Sequence, residues 1–84
     1  MQERIRAFVQ SIVPVASIVE IEVPKIEKYG DYSTNIAIVL SKTNNISPRL
    51  IASDLTARLK ELDKGNFSSI ETAGAGFINF KISD

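Results

Sequence analysis

Phe77, Asn79 and Lys81 lie two residues apart near the end of an 84-residue chain, and together they could do recognition chemistry. Successive side chains of a strand point to opposite faces. In Phe77-Ile78-Asn79-Phe80-Lys81-Ile82 the ring, the carboxamide and the ammonium therefore share one face, while Ile78, Phe80 and Ile82 share the other. A flat π surface can stack on a nucleobase, an amide both donates and accepts along a base edge, and a cation neutralises phosphate. Three readings stand side by side: a nucleic-acid contact, a protein-contact patch, or the ordinary polar face of an exposed strand. Glu20 and Glu22 count against the first. If their strand joins the same sheet they face the same side and repel phosphates, so a base reaching Phe77 would have to arrive without its backbone crossing them.

Other groups have weaker claims. Gly74-Ala75-Gly76 has the glycines of a phosphate-binding loop, but such a loop runs from a strand into a helix N-terminus. Here a second strand follows, so the glycines read as a hairpin turn. Tyr29-Gly30-Asp31-Tyr32 is rich in groups that bind and equally rich in groups that make turns. Gly30 can take a positive φ and Asp31 can bond neighbouring amides, and structural use is the stronger reading. Glu20 and Glu22 could suggest acid–base chemistry or a hard cation, yet alternation on an exposed strand explains them, and no third carboxylate is near in sequence. The chain has no histidine and no cysteine. That excludes disulfides, zinc constellations, Ser-His or Cys-His nucleophile pairs and a histidine base. No catalytic constellation remains, and no metal site is expected.

The elements that position these groups follow from the hydrophobic pattern. The length suits a single domain over residues 1–84. Ten basic residues balance ten acidic ones, so capture of nucleic acid by charge alone is not expected. No apolar run could cross a membrane, and Met1–Val13 carries Glu3, Arg4 and Arg6, unlike a signal peptide. An intracellular setting fits.

Met1, Ile5, Phe8, Val9, Ile12 and Val13 make a helical stripe ended by Pro14. Ile18–Val23 alternates like a half-buried strand closed by Pro24. Lys25–Asn35 reads as a loop. Ile36–Leu40 is compatible with a buried strand by its β-branched content, or with a helix by the capping residues Ser33, Thr34 and Asn35 before it. Ser47-Pro48 starts a firm helix whose buried stripe is Ile51, Leu55, Leu59 and Leu62, supported by Leu50 and Ala52. Asp54 and Arg58 are spaced for a surface pair, and Gly65 supplies the stop. Phe67–Ala73 and Phe77–Ser83 form the closing hairpin. The fold class is α+β: a small antiparallel or mixed sheet with helices packed on one face and the other face partly open to solvent.

Three segments in order carry a resemblance: Gly30-Asp31-Tyr32 with Asn35 close behind, Ser47-Pro48-Arg49 opening a helix with Ile51-Ala52, and Gly74-x-Gly76-Phe77-Ile78-Asn79-Phe80. Their order and spacing resemble the N-terminal domain of arginyl-tRNA synthetases across essentially the whole chain. The resemblance implies an α+β appendage ahead of a catalytic domain, packed on the outer corner of tRNA. It implies that Phe77 stacks on a D-loop base or its neighbour and that Asn79 bonds the base edge, with Lys81, Gly74 and Gly76 in the same tRNA-binding segment. It also implies a helix after Asn35. The Gly30-Asp31-Tyr32 turn, with Tyr29 and Asn35, would then be a secondary contact or abut the catalytic domain.

Two positions depart from the family pattern: Tyr29 stands where histidine is frequent, and Ala75 where proline is frequent between the glycines. The class I catalytic signature uses histidines, which this chain lacks. The expectation is a tRNA-recognition domain without activity or cofactor of its own. It would serve an arginine–tRNA ligase that uses ATP and Mg, in the cytoplasm, as a monomer away from membranes. Its expected partners are tRNA(Arg) and the catalytic domain of the same polypeptide. The alternative is a protein-interaction or inter-domain packing module that makes no nucleic-acid contact.

Overall fold

A computed structural model describes residues 1–14, 16–26 and 29–83. Helix α1 spans Gln2–Gln10, strand β1 Ile21–Glu22 and strand β2 Tyr32–Thr34. Helix α2 follows over Ile36–Asn44 and helix α3 over Pro48–Leu62, then strands β3, Phe67–Ala73, and β4, Phe77–Ile82. The strands form one sheet in the order β1-β2-β4-β3, with every neighbouring pair antiparallel. The sheet is therefore antiparallel, not mixed. Ile5 and Val9 of α1, Ile36 and Ala37 of α2, and Ala52, Leu55 and Leu59 of α3 close over Ile70, Ile78 and Phe80 to make the core. The ring of Phe8 stacks on Phe67 at 5.9 Å, and Phe67 in turn meets Phe80 at 5.3 Å, which ties α1 to the sheet.

Phe67 reaches the core because of a bulge. It pairs with Ile82 while Ser69 pairs with Lys81, so one extra residue sits between them. Without that insertion strict alternation would set Phe67 on the face opposite Ile70. The turn entering β3 is organised by Asp63, whose carboxylate accepts the N–H groups of Asn66 at 3.0 Å and Phe67 at 3.3 Å. Gly65 takes φ +88° within it.

Several elements differ from the sequence expectation. Lys25–Asn35 is not all loop, because Tyr32–Thr34 is an interior strand that pairs with β1 on one side and β4 on the other. Residues 27 and 28 of that segment lie outside the described residues. The strand expected over Ile18–Val23 pairs only at Ile21 and Glu22, opposite Thr34 and Ser33. Its partner is three residues long, and Val23 is already 64% exposed before Pro24. Helix α1 ends at Gln10, four residues ahead of Pro14, at the position whose carbonyl a proline ring would strike if the helix continued. The segment after Asn35 is a helix, as the family resemblance implies.

On α3 the buried stripe is Ala52, Leu55, Thr56 and Leu59, the i, i+3, i+4, i+7 spacing of one face. Leu50 and Leu62 lie off it, 66% and 51% exposed. Leu50 is two residues from Ala52, roughly 200° around the helix. Ser47 starts α3 through its carbonyl, which accepts the Ile51 N–H, while its hydroxyl makes no capping bond. Asp54 and Arg58 do not pair; the ion pair among the described residues is Arg6–Glu3 on α1, at 2.6 Å.

A candidate nucleic-acid interface on the helix-free face

β4 divides its side chains as alternation requires. Ile78 and Phe80 are fully buried beneath the helices, while Phe77 is 38% exposed, Lys81 is exposed and Asn79 is half-buried on the other face. The neighbouring strands complete that face. Asn79 stands opposite Ser33 of β2 and Glu71 of β3, and Ser33 stands opposite Glu22 of β1. One row therefore reads Glu22, Ser33, Asn79, Glu71 across four strands. Ala73 faces Phe77 in the next row and Ser69 faces Lys81 in the row on the other side. Among the described residues the Asn79 carboxamide and the Glu71 carboxylate make no hydrogen bond or ion pair, so both are free for a ligand.

The face is not a bare plane. A depression of about 370 Å³ is walled by Pro24, Lys25, Ile26, Tyr29 and Phe77 and lined below by Ser33, Ala73, Gly74 and Asn79. A smaller hollow of about 40 Å³ lies beside it, between Tyr29, Gly30, Ser69, Glu71, Asn79, Phe80 and Lys81. Tyr29 and Asn79 line both. Two rings and two aliphatic side chains around an unspent amide can hold a planar heterocycle and bond its edge. A lysine lies toward each side: Lys25 at the depression and Lys81 at the hollow.

The glycines set this surface in place. Gly76 has φ +145°, and a Cβ there would come within 2.7 Å of the Pro48 Cβ and 3.2 Å of the Ile38 side chain. Its bare backbone lets the hairpin press against the α2–α3 junction, with Phe77 turned to the opposite side. Gly74, at φ +56°, is needed for the turn alone, since a Cβ would meet nothing nearer than the Phe77 ring at 4.0 Å. A Cβ on Gly30 would strike the Phe80 carbonyl oxygen at 2.7 Å. Next to it the Asp31 N–H donates to that same oxygen at 2.8 Å, and the Asp31 carboxylate accepts the Ile82 N–H at 2.9 Å. Gly30-Asp31 thus fastens the entry of β2 to the end of β4.

The structure brings Tyr29 and Gly30 to the face of Phe77, Asn79, Lys81 and Gly74. It places Tyr32 on the helix side, half-buried against the core, and Asn35 at the start of α2, where the Thr34 hydroxyl accepts the Ile36 N–H. Glu71, Ser33 and the Pro24–Ile26 wall escaped sequence reasoning. Glu71 was within reach: counting back across the three-residue hairpin from Phe77 opposite Ala73 puts residue 71 opposite residue 79. Ser33 and the wall were not, because their place depends on β2, which the pattern hid.

Among the described residues no group of three or more histidine, cysteine, aspartate or glutamate side chains is arranged to hold a metal ion. Among the described residues no helix is long and apolar enough to cross a membrane.

Helices on one sheet face and a ring-walled, partly polar depression on the other define a small α+β domain. Comparison gives its lineage: the chain belongs to the arginyl-tRNA synthetase N-terminal domain family, whose model matches residues 1–82. It is 43% identical over 82 residues to the arginine–tRNA ligase of Listeria welshimeri, covering 94% of this chain and 15% of that protein. It is 47% identical over 66 residues to the Staphylococcus carnosus arginine–tRNA ligase, covering 79% of this chain and 12% of the relative. The chain thus spans about 15% of the length of the curated relatives it matches. Its fold is shared with the arginyl-tRNA synthetase of Plasmodium falciparum, at TM-score 0.81 and 18% identity over 98% of this chain and 16% of the other. The Thermus thermophilus enzyme gives TM-score 0.79 and 17% identity over 99% of this chain and 14% of the other.

Proposed function

We propose that this chain is the tRNA-recognition domain of an arginine–tRNA ligase. An unstacked D-loop base at the outer corner of tRNA(Arg) lies on Phe77, and Asn79 bonds its edge. Lys81 meets a phosphate, and Tyr29 walls the base from the other side. The observation that carries this reading is the pairing of a solvent-exposed ring with an unspent carboxamide two residues later, on the sheet face that no helix covers. Family membership supports it. The parent ligase uses ATP and Mg to activate arginine in a catalytic domain of the same polypeptide, in the cytoplasm, and this domain adds recognition and no chemistry.

The balanced charge fits a contact that works within a larger complex. A base stack contributes about 1–3 kcal/mol, which is roughly a 5- to 150-fold change. In the intact ligase, Phe77→Ala and Asn79→Ala should each lower kcat/KM for tRNA(Arg) within that range. They should leave tRNA-independent thermal stability close to wild type. Aminoacylation indifferent both to these substitutions and to the D-loop base would sink the proposal.

A second reading has its own observation. Pro14, Ala16, Ile18, Val39 and Leu40 line an apolar groove of about 400 Å³ along α2, remote from the depression. Ile18 is among the most exposed apolar side chains of the chain. This gives a packing surface distinct from the Phe77 and Tyr29–Tyr32 face, with the groove seated on the catalytic domain. It uses the helix side, and it replaces the tRNA reading if tRNA spares Phe77 while the catalytic domain perturbs the groove.

A further inference from the structure

The two edges of the sheet are built differently. β1 closes one side with two residues and runs on to Pro24, the short, proline-ended form that blunts an edge against further pairing. β3 closes the other with seven residues, Phe67–Ala73, and carries neither lysine nor proline. Its bulge lies between Phe67 and Ser69, so Ser69–Ala73 keeps a regular register.

β4 shows which backbone groups of β3 are left over. The Phe80 carbonyl accepts the Asp31 N–H at 2.8 Å on the β2 side, and the Lys81 carbonyl accepts the Ser68 hydroxyl at 3.3 Å on the β3 side. Successive residues of a paired strand turn their N–H and C=O groups to opposite sides. Phe80 and Ile78 therefore serve β2. Ile70 and Thr72, which stand opposite them, turn their own groups away from β4 to the open edge. Among the described residues no other strand pairs with that edge.

We propose that the β3 edge is a self-association surface, covered by a second copy of this chain that pairs antiparallel about a two-fold axis at Ile70 and joins the two sheets into one. This departs from the monomer that the family resemblance implies, and it stands whether or not the Phe77–Asn79 face meets tRNA. A two-fold contact sets one patch against itself, so the register must suit the patch's own charges. Centred on Ile70, the outward N–H and C=O groups of the two Ile70 residues satisfy each other, and Glu71 faces the partner's Ser69. Centred on Glu71, two carboxylates would stand directly opposite, which is destabilising.

The Ile70 register also supplies attraction. Ser69 stands opposite Lys81 on the outer face, so one row reads Lys81, Ser69, then the partner's Glu71. Lysine and glutamate are then two strand spacings apart, about 10 Å at the backbone, and their long side chains meet over the short serine. The two-fold axis repeats the contact. Within one chain Glu71 and Lys81 are both exposed, and neither is ion-paired among the described residues. No net charge keeps copies apart. On the helix side a hollow of about 440 Å³ beside Thr72 is bordered by the short side chains of Ser53 and Ala57, which leaves room for the partner's strand.

A seven-residue edge makes a small interface, so half-association is expected at roughly 0.1–1 mM. Sedimentation equilibrium and amide hydrogen exchange on the chain, up to about 2 mM, test the proposal. Wild type should pass from monomer to dimer, with exchange at the Ile70 and Thr72 amides slowing as the dimer forms. Glu71→Lys and Lys81→Glu should each weaken self-association by about tenfold, because two attractions become two repulsions. An equimolar mixture of the two variants should recover wild-type association, since each exchanged charge then meets its opposite, and that recovery also shows that both variants fold. A chain still monomeric at the highest concentration would overturn the proposal. So would a Glu71→Lys variant that associates like wild type, a mixture that recovers nothing, or a dimer that leaves Ile70 and Thr72 exchanging as in the monomer. If the chain stays monomeric and the parent's catalytic domain slows those two amides instead, the edge belongs to that domain and the proposal falls.

Discussion

Replacing Gly76 with alanine separates the scaffold of the site from its contact surface. The residue has φ +145°, a region that residues with a side chain rarely enter, and holding alanine there costs about 1–3 kcal/mol. The new methyl also lands 2.7 Å from the Pro48 Cβ and 3.2 Å from the Ile38 Cγ1. Overpacking of that kind costs about another 1–3 kcal/mol, because the first atom met belongs to a proline ring fixed at the start of α3. The combined loss is roughly 2–6 kcal/mol. An 84-residue domain has a total stability of about 4–13 kcal/mol, so the variant should lose a large part of it. At about 4–8 °C per kcal/mol the melting temperature should fall by roughly 10 °C or more. Gly74→Ala is the control: it shares the turn, but its Cβ meets nothing nearer than 4.0 Å, so only the φ cost of about 1 kcal/mol remains. Thermal unfolding followed by circular dichroism reads both. Equal shifts in the two variants would refute the claim that the hairpin is held against the α2–α3 junction by the missing side chain of Gly76.

Three further outcomes follow from particular atoms. The Thr56 hydroxyl is buried on α3 without a hydrogen-bond partner among the described residues, so the near-isosteric Thr56→Val should stabilise the fold by about 1 kcal/mol in urea unfolding. Asp31→Ala removes the acceptor of the Ile82 N–H in an exposed setting, so it should cost about 1 kcal/mol and speed hydrogen exchange at that amide, with the α3 amides little changed. The Arg6 guanidinium, first by hydrogen bonding and then by charge, holds the Glu3 carboxyl below its ordinary 4.5. A value lower in the folded state than in the unfolded one stabilises above about pH 4.5 and is lost as the pH falls through the folded value. Glu3→Gln should therefore differ from wild type near neutrality and converge with it in acid, by a small margin on an exposed helix turn.

Much of the fold could be read from residue patterns because those elements are local. The stripe around Leu55 and Leu59, the proline after Ser47 and the hairpin glycines each declare themselves within one element. The alternation of Phe77-Ile78-Asn79-Phe80 assigned the two faces of β4 correctly, with Ile78 and Phe80 buried and Phe77 exposed. Interior strand β2 escaped because three residues are too few to show a period, and the flanking Gly30-Asp31 reads as turn chemistry. Only the pairing with Phe80, Asn79 and Ile78, far along the chain, makes Tyr32–Thr34 a strand. The same long-range pairing hid Ser33 beneath the depression. Glu71 was hidden differently: on an edge strand a lone carboxylate looks like solvated surface until its cross-strand neighbour is known.

The central claim is that the Phe77–Asn79 face, and not the helix side, meets tRNA. Titrating unlabelled tRNA(Arg) into the isotope-labelled chain at low salt, with backbone amide and Asn79 side-chain signals followed by NMR, tests it directly. The largest shifts are expected at Phe77, Asn79, Lys81, Lys25 and Tyr29, with Ile18, Val39 and Leu50 unmoved. Shifts confined to the helix side, or none at the face while the catalytic domain perturbs it, would contradict the account.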